Sequence, residues 1–306
     1  MNHDATIALL LPTRGRPQSA IEALQSIAAT TARPELLRVV VGIDNDDTES
    51  LEAVRRFSAP YTITIDVKPQ ALGFNHRVHL MLPATEGCSI VGFFADDVRM
   101  ATSKWDDLVR EAASVMPGSY GVMYFKDPLH KGFPTYPIVT QAMIHELGFF
   151  FEPFTPFWFS DAWLYEIAQM ICCLLPLEAA LENPHGKGLT HHMREWSFWA
   201  DWFNATRPQR VVTARRLIPK MYPRLPHLRI TLLNDIPQRV QLLQLLRAKH
   251  RKKLQSLKPM ESSSAESSPP PARYFEAKRV ATEYLRKMRA DLGIQVKDQF
   301  SAPPLP

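Results

Sequence analysis

The chain has 306 residues, 45% of them apolar, enough to bury a sizeable core as one large domain with an appendage or as two small domains. The formal charge of +5 is unevenly placed: residues 1–225 hold 21 Lys and Arg against 24 Asp and Glu, and residues 226–306 hold 15 against 7, which argues against a nucleic-acid-binding body. Cys88 stands alone and Cys172 and Cys173 are adjacent, neither a disulfide framework nor a zinc pattern, so a reducing, cytoplasmic setting is expected. The apolar run between Asp4 and Arg14 is too short for a secretory signal, and no stretch reaches the roughly 18 apolar residues of a membrane span.

In chain order, TIALLLP (6–12) reads as a buried strand, and Ala20, Ile21, Leu24 and Ile27 follow at helical spacing. LRVVVGID (37–44) is a second apolar strand. Asp46, three residues before Glu49, is placed to cap a short helix carrying Leu51, Val54 and Phe57. YTITIDV (61–67) alternates as a half-buried strand, Phe74, Val78 and Met81 mark another helix, and CSIVGFF (88–94) a further strand. This rhythm predicts a mostly parallel, doubly wound α/β sheet with helices on both faces. Residues 101–225 are less regular, with helices expected at 103–114, 137–147 and 160–174. A main domain over 1–225 would then be followed by a basic helical extension over 226–258, which includes RAKHRKK (247–253). A disordered Ser/Pro linker over 259–273 and a C-terminal amphipathic helix and tail over 274–306 complete the chain.

In sheets of this kind, working groups gather beyond the carboxyl ends of the strands. Pro12-Thr13-Arg14, Asp44 and Asp96-Asp97 each follow directly on a strand end, so parallel strands would bring them to one edge. Two adjacent carboxylates repel unless water, cations or a metal offset their charge. Each cluster also has a plainer reading. The arginines of LLPTRGRP can be a solvated surface turn, above all Arg16, and the Asp residues can be helix caps. Asp46 suits a cap better than Asp44, and Thr102 and Ser103 suit one better than Asp96 and Asp97.

LLPTRGRP (10–17), VVGIDND (40–46), LGFNHRV (72–78), FFADDV (93–98), FWFSDAWLYEIA (157–168) and LTHHMREWSFWAD (189–201) occur in an order that resembles the family-2-type glycosyltransferases with a GT-A fold. The resemblance spans roughly residues 5–205. It implies a Rossmann-like mixed sheet flanked by helices, here with a helical C-terminal extension, and transfer of a sugar from a nucleotide-diphosphate donor. The corresponding roles would place Pro12, Thr13 and Arg14 at the nucleotide, with Arg16 adding charge, and Asp44 at the base or ribose. Gly73 would let the backbone approach the donor, and Asn75 and Arg77 would face the nucleotide or its diphosphate. Asp97 would bind Mn²⁺ or Mg²⁺ with Asp96 as its helper, although Ala95 stands where the family has a first carboxylate. His192, or its neighbour His191, would be a further ligand better suited to Mn²⁺, with Asp201 orienting it. Asp161 would be the general base of an inverting transfer, with Ser160 in place of a preceding acid; the alternative is an ordinary N-cap.

GFFFEPFTPFWF (148–159) holds seven aromatics in twelve residues, serving as core, as an acceptor platform or as a peripheral membrane contact. NPHGKG (183–188) is a loop able to close over the donor. The implied function is metal-dependent, inverting glycosyl transfer to an acceptor hydroxyl on a glycan, a lipid-linked sugar or a protein. The alternative is a catalytically degenerate GT-A-like binding module whose basic tail contacts nucleic acid, a membrane surface or a protein partner.

Overall fold

Ile7 to Leu11 are buried on both faces of β1 (Ile7–Thr13), as expected of a central parallel strand covered by helices above and below. The computed structural model describes residues 4–127, 133–183, 196–223 and 272–294. Pro17 opens α1 (Pro17–Thr30), where its missing N–H costs no bond, and Ala20, Ala23, Leu24 and Ile27 form the buried stripe. Then come β2 (Leu37–Asp44), α2 (Thr48–Arg56), β3 (Thr62–Lys68), α3 (Phe74–Met81) and β4 (Ile90–Phe93). β1 pairs in parallel with β2 from Ile7↔Leu37 to Thr13↔Ile43, and with β4 from Ile7↔Ile90 to Leu10↔Phe93. β3 adds to the outside of β2, also in parallel.

The second half adds β5 (Arg99–Met100), α4 (Trp105–Ser114), β6 (Val122–Lys126), β7 (Pro137–Thr140), α5 (Gln141–Leu147), α6 (Ser160–Met170) and β8 (Leu174–Glu182). The helices α7 (Trp196–Ala205), α8 (Arg207–Met221) and α9 (Ala272–Asp291) follow. The strand order is β3-β2-β1-β4-β7-β6-β8-β5. β7 runs antiparallel to both β4 and β6, so β6, and β8 beside it, point the same way as β1. The far ends of β1, β2, β4, β6 and β8 and the beginning of β7 therefore share one edge of the sheet.

Three expectations change here. The helix expected over 137–147 is a strand followed by a helix, because Pro137–Thr140 is a short, wholly buried run that periodicity cannot assign. The helix expected over 160–174 stops at Met170, and Leu174 opens β8. Along β8 the buried residues Leu177, Ala179 and Leu181 alternate with exposed ones, but its Leu, Ala and Glu content reads as helix. Nor do Thr102 and Ser103 cap α4. Lys104 takes that position in a left-handed conformation, while the Thr102 hydroxyl accepts from Ala180 N of β8.

The C-terminal helix docks on the body. Tyr274, Ala277, Ala281, Leu285 and Met288 of α9 are buried at three- and four-residue spacing. Trp202 Nε1 donates to Ala281 O at 2.8 Å, and Tyr284 stacks on Phe154 with ring centroids 3.7 Å apart. Among the described residues no helix is long and apolar enough to cross a membrane.

Candidate functional site

The turn after β1 has its charges already paired. Arg14 Nη1 reaches Asp44 at 2.8 Å and Asp46 at 2.6 Å, and Nη2 reaches the other Asp46 oxygen at 2.7 Å. Hydrogen bonding to Asp46, above all, holds the guanidinium above its usual range, and the same bond holds Asp46 below the usual carboxylate range. Asp46 is therefore an ion-pair partner and not the cap of α2. Asp47 caps that helix, accepting from Ser50 N, and its second oxygen accepts from Gly15 N at 2.7 Å. Gly15 has φ +63, a left-handed turn position that suits glycine.

Asp96 is 1% exposed, and its surroundings answer the question posed by two adjacent carboxylates. The Thr13 hydroxyl donates to Asp96 Oδ2 at 2.8 Å, and Arg16 Nη2 lies 2.6 Å from Oδ1. Ser19 and Arg99 donate to its main-chain carbonyl at 2.8 and 3.0 Å. Burial pushes the Asp96 carboxyl up to about 6, with Arg16 and Thr13 opposing the shift. Asp97 is partly exposed, with Oδ2 3.5 Å from Arg16 Nη1. Arg16, expected to be a solvated surface residue, instead bridges the two acids.

Three residues that the sequence reading missed complete the edge. Asp127 directly follows β6, Tyr136 directly precedes β7, and Asn183 directly follows β8. Tyr136 is buried and stacks on Phe93 at 5.9 Å and 6°. Its hydroxyl hydrogen-bonds the Asn183 side chain. Burial raises the phenol well above its ordinary range, helped by the charges of Asp97, Asp127 and Asp161. The carboxylate after β4 and the carboxylate on α6 thus both act electrostatically on a common group. KD after VMYF is a strand-end acid like DD after FFA, so the rule that found Asp97 could have found Asp127 once β6 was recognised.

Asp161 lies in the first turn of α6, where the helix N-terminus favours its charge. It is not the N-cap: Phe159 occupies that position in a left-handed conformation, and Asp161 Oδ1 accepts from Ala162 N at 2.8 Å.

The LGFNHRV segment is more deeply built in than its expected roles imply. Gly73 is extended, and a Cβ there would meet the Pro156 backbone at 2.5–2.6 Å, so the close approach this glycine permits is to the chain itself. Asn75 is buried and donates to Thr155 Oγ1 at 2.7 Å. Arg77 passes beneath Gly42, is buried and pairs with Asp66 at 2.9 Å. Burial lowers its pKa, with Asp66 and Asp44 opposing.

Thr155 also contacts buried Glu152 and lies 2.7 Å from Trp158 O. One hydroxyl hydrogen cannot serve both oxygens. A neutral Glu152 that donates its acid proton to Thr155 leaves the threonine hydrogen for Trp158 O. Burial agrees, pushing Glu152 up to about 8. Most of the aromatic segment is core: Phe150, Phe151 and Phe159 are buried, and Phe154 lies under Tyr284.

His191, His192 and all of NPHGKG after Asn183 lie outside the described residues, and Asp201 is exposed on α7. Among the described residues no three His, Cys, Asp or Glu side chains group as a metal site. Asp96 has both oxygens engaged. Asp97 is the carboxylate with an oxygen only loosely held, which fits a hard cation bound by one protein carboxylate and substrate phosphates.

No described protein family matches the sequence, and no curated protein does. Solved structures do. The mannosyltransferase PcManGT from Pyrobaculum calidifontis, in complex with GDP-Man and Mn²⁺, is similar with a TM-score of 0.52 and 14% identity, covering 89% of this chain and 86% of that one. S. aureus TarS 1–349 in complex with UDP is similar with a TM-score of 0.53 and 14% identity, covering 93% of this chain and 87% of that one. The chain has a GT-A fold, that of nucleotide-sugar glycosyltransferases.

Proposed function

We propose that the protein is a family-2-type glycosyltransferase that moves a sugar from a nucleoside-diphosphate donor to an acceptor hydroxyl, with inversion and with help from a divalent cation. The observation that carries this reading is the meeting of Thr13, Arg14, Asp44 and Asp96-Asp97 at one strand-end edge of a GT-A fold, with Asp97 and Asp161 near the same tyrosine. Similar folds are seen with GDP-Man and Mn²⁺ in PcManGT and with UDP in TarS.

Arg14 and Asp44 present a hydrogen-bonding rim to the nucleoside, held in place by Asp46. Thr13 orients Asp96 and so sets the direction of Asp97. Gly73 and Asn75 hold the α3 entrance against Pro156 and Thr155, while Arg77 supports the floor under Asp44. Mn²⁺ or Mg²⁺, held by Asp97 and His192, would offset charge on the departing diphosphate. Asp161, kept ionised at a helix start, takes the acceptor proton as the acceptor oxygen bonds to the anomeric carbon and the bond to the diphosphate breaks. We assign this activity to residues 1–225 of a cytoplasmic protein, with α9 bracing the aromatic side and the basic tail left for an acidic partner or surface.

Thermal shift with UDP-, GDP- and CMP-sugars, with and without Mn²⁺, tests the reading. A metal-dependent rise with one nucleotide is expected. Asp97→Ala should lower metal-dependent donor hydrolysis or transfer by about a thousandfold. Full activity in that variant would sink the metal assignment. No shift with any nucleotide, together with salt-sensitive nucleic-acid binding, would favour the binding module.

A further inference from the structure

The two acids after β4 are held very differently. Asp96 is 1% exposed and both its side-chain oxygens are engaged, by Thr13 and Arg16. The Asp97 side chain is 20% exposed, and its oxygen lies 3.5 Å from the other arm of the same guanidinium. Arg16 thus lies closest to one acid, in an ion pair at 2.6 Å without hydrogen-bond geometry, and makes a long hydrogen bond of 3.5 Å to the other. Its own side chain is 37% exposed. Its backbone is fixed at the entrance to α1, where its carbonyl accepts from Ala20 N at 3.0 Å. The result is an anchored cation with one tethered arm and one arm at the opening.

A divalent cation on Asp97 and a guanidinium on the same carboxylate repel each other. The ion pair with Asp96 is closer and more buried, so the Asp97 contact is the one that yields. The released N–H groups then need acceptors, and a diphosphate offers oxygens spaced for a guanidinium fork.

Resting on the sugar-transfer reading, we propose that Arg16 is a charge-exchange residue. It neutralises Asp97 until a divalent cation takes that carboxylate. Still tethered to Asp96, it then turns its freed arm to the donor diphosphate. Arg16 therefore opposes metal binding to the empty protein and favours nucleoside-diphosphate binding to the metal-loaded one, a coupling between the two ligands.

The test uses the full chain and two titrations, Mn²⁺ alone, then UDP, GDP or CDP at saturating Mn²⁺, followed by calorimetry with melting curves as a check on folding. In Arg16→Ala, affinity for Mn²⁺ alone should rise about tenfold, and affinity for the nucleoside diphosphate that the wild type binds should fall at least about tenfold. A purely structural role would weaken both. Arg16→Lys, which preserves a charge for Asp96 but cannot span two partners, should fold even if the alanine variant does not. Because it leaves Asp97 free, it should bind Mn²⁺ more tightly than the wild type, by less than the alanine variant does, and lose nucleotide affinity several-fold. If the wild type binds a nucleoside diphosphate but the variants move both affinities together, or neither, the exchange is wrong and the transferase reading stands. If the wild type binds none of the three, both fall.

Discussion

The two sides of the strand-end edge are built from different materials. On the β1, β2 and β4 side, charged residues on tight turns hold one another: Arg14 with Asp44 and Asp46, Arg16 with Asp96 and Asp97. On the β6, β7, β8 and α6 side, aromatic rings dominate, and Tyr136 and Phe151 both pack on Phe93 at the end of β4. The first arrangement sets two arginines against four carboxylates, so a polyanionic ligand would need a cation beside it there. The second positions a few polar groups, Asp127, Asp161 and the Tyr136 hydroxyl, on a side where aromatic rings pack together. In the proposed reaction one side would recognise charge and the other would place a proton acceptor.

Separating the two sides by mutation sharpens this contrast. The largest effect is expected from Asp161→Asn, which should lower turnover about a thousandfold while leaving nucleotide binding intact. Lost binding would mean that the sides are not independent, and calorimetry alongside single-turnover rates would show it. Next is Tyr284→Ala, which removes the ring stacked on Phe154 and should destabilise the fold by about 3 kcal/mol, measured by denaturant unfolding. Such a loss would show that the aromatic side depends on α9.

Gly73→Ala drives a Cβ into the Pro156 backbone and should cost about 2 kcal/mol. It should also weaken donor binding, because this contact joins the α3 entrance to the aromatic segment. Stability without a binding defect would detach that segment from the nucleotide side.

The smallest effect is a pH dependence. Glu152 is raised from 4.5 to about 8 by burial, so the folded protein keeps a proton that the unfolded chain releases. Its contribution is complete below the unfolded value and is lost as pH rises towards about 8. Between pH 7 and 8 Asp96, raised only to about 6, contributes less slope than Glu152, and burial lowers the pKa values of His76 and His79 away from that interval, so the Glu152 slope dominates. Stability should fall there by up to about 1.4 kcal/mol per pH unit, and Glu152→Gln should flatten the melting-temperature profile over that interval.

The charged side was largely legible in the sequence and the aromatic side was not. β1, β2 and β4 are continuous apolar runs ending in polar turns, so periodicity and the strand-end rule sufficed to mark Thr13, Arg14, Asp44, Asp96 and Asp97. β6, β7 and β8 are short, interrupted by proline or composed of helix formers, and one of them runs backwards. Asp127 and Tyr136 consequently had no strand end to be read from. Helix capping misled at α2 and α4 because spacing alone does not say which of several adjacent polar residues faces the helix.

By itself the sequence determined an alternating α/β body, a basic tail and a row of acids at strand ends, because each follows from local pattern and composition. Only the tertiary structure decided that Arg16 lies between Asp96 and Asp97, that Tyr136 feels the charges of three separate acids, and that α9 covers Phe154. The Arg16 and Phe154 pairings join residues 80 to 130 positions apart, and no local preference encodes them. They arise from the register of buried strands, which decides which turn ends stand side by side.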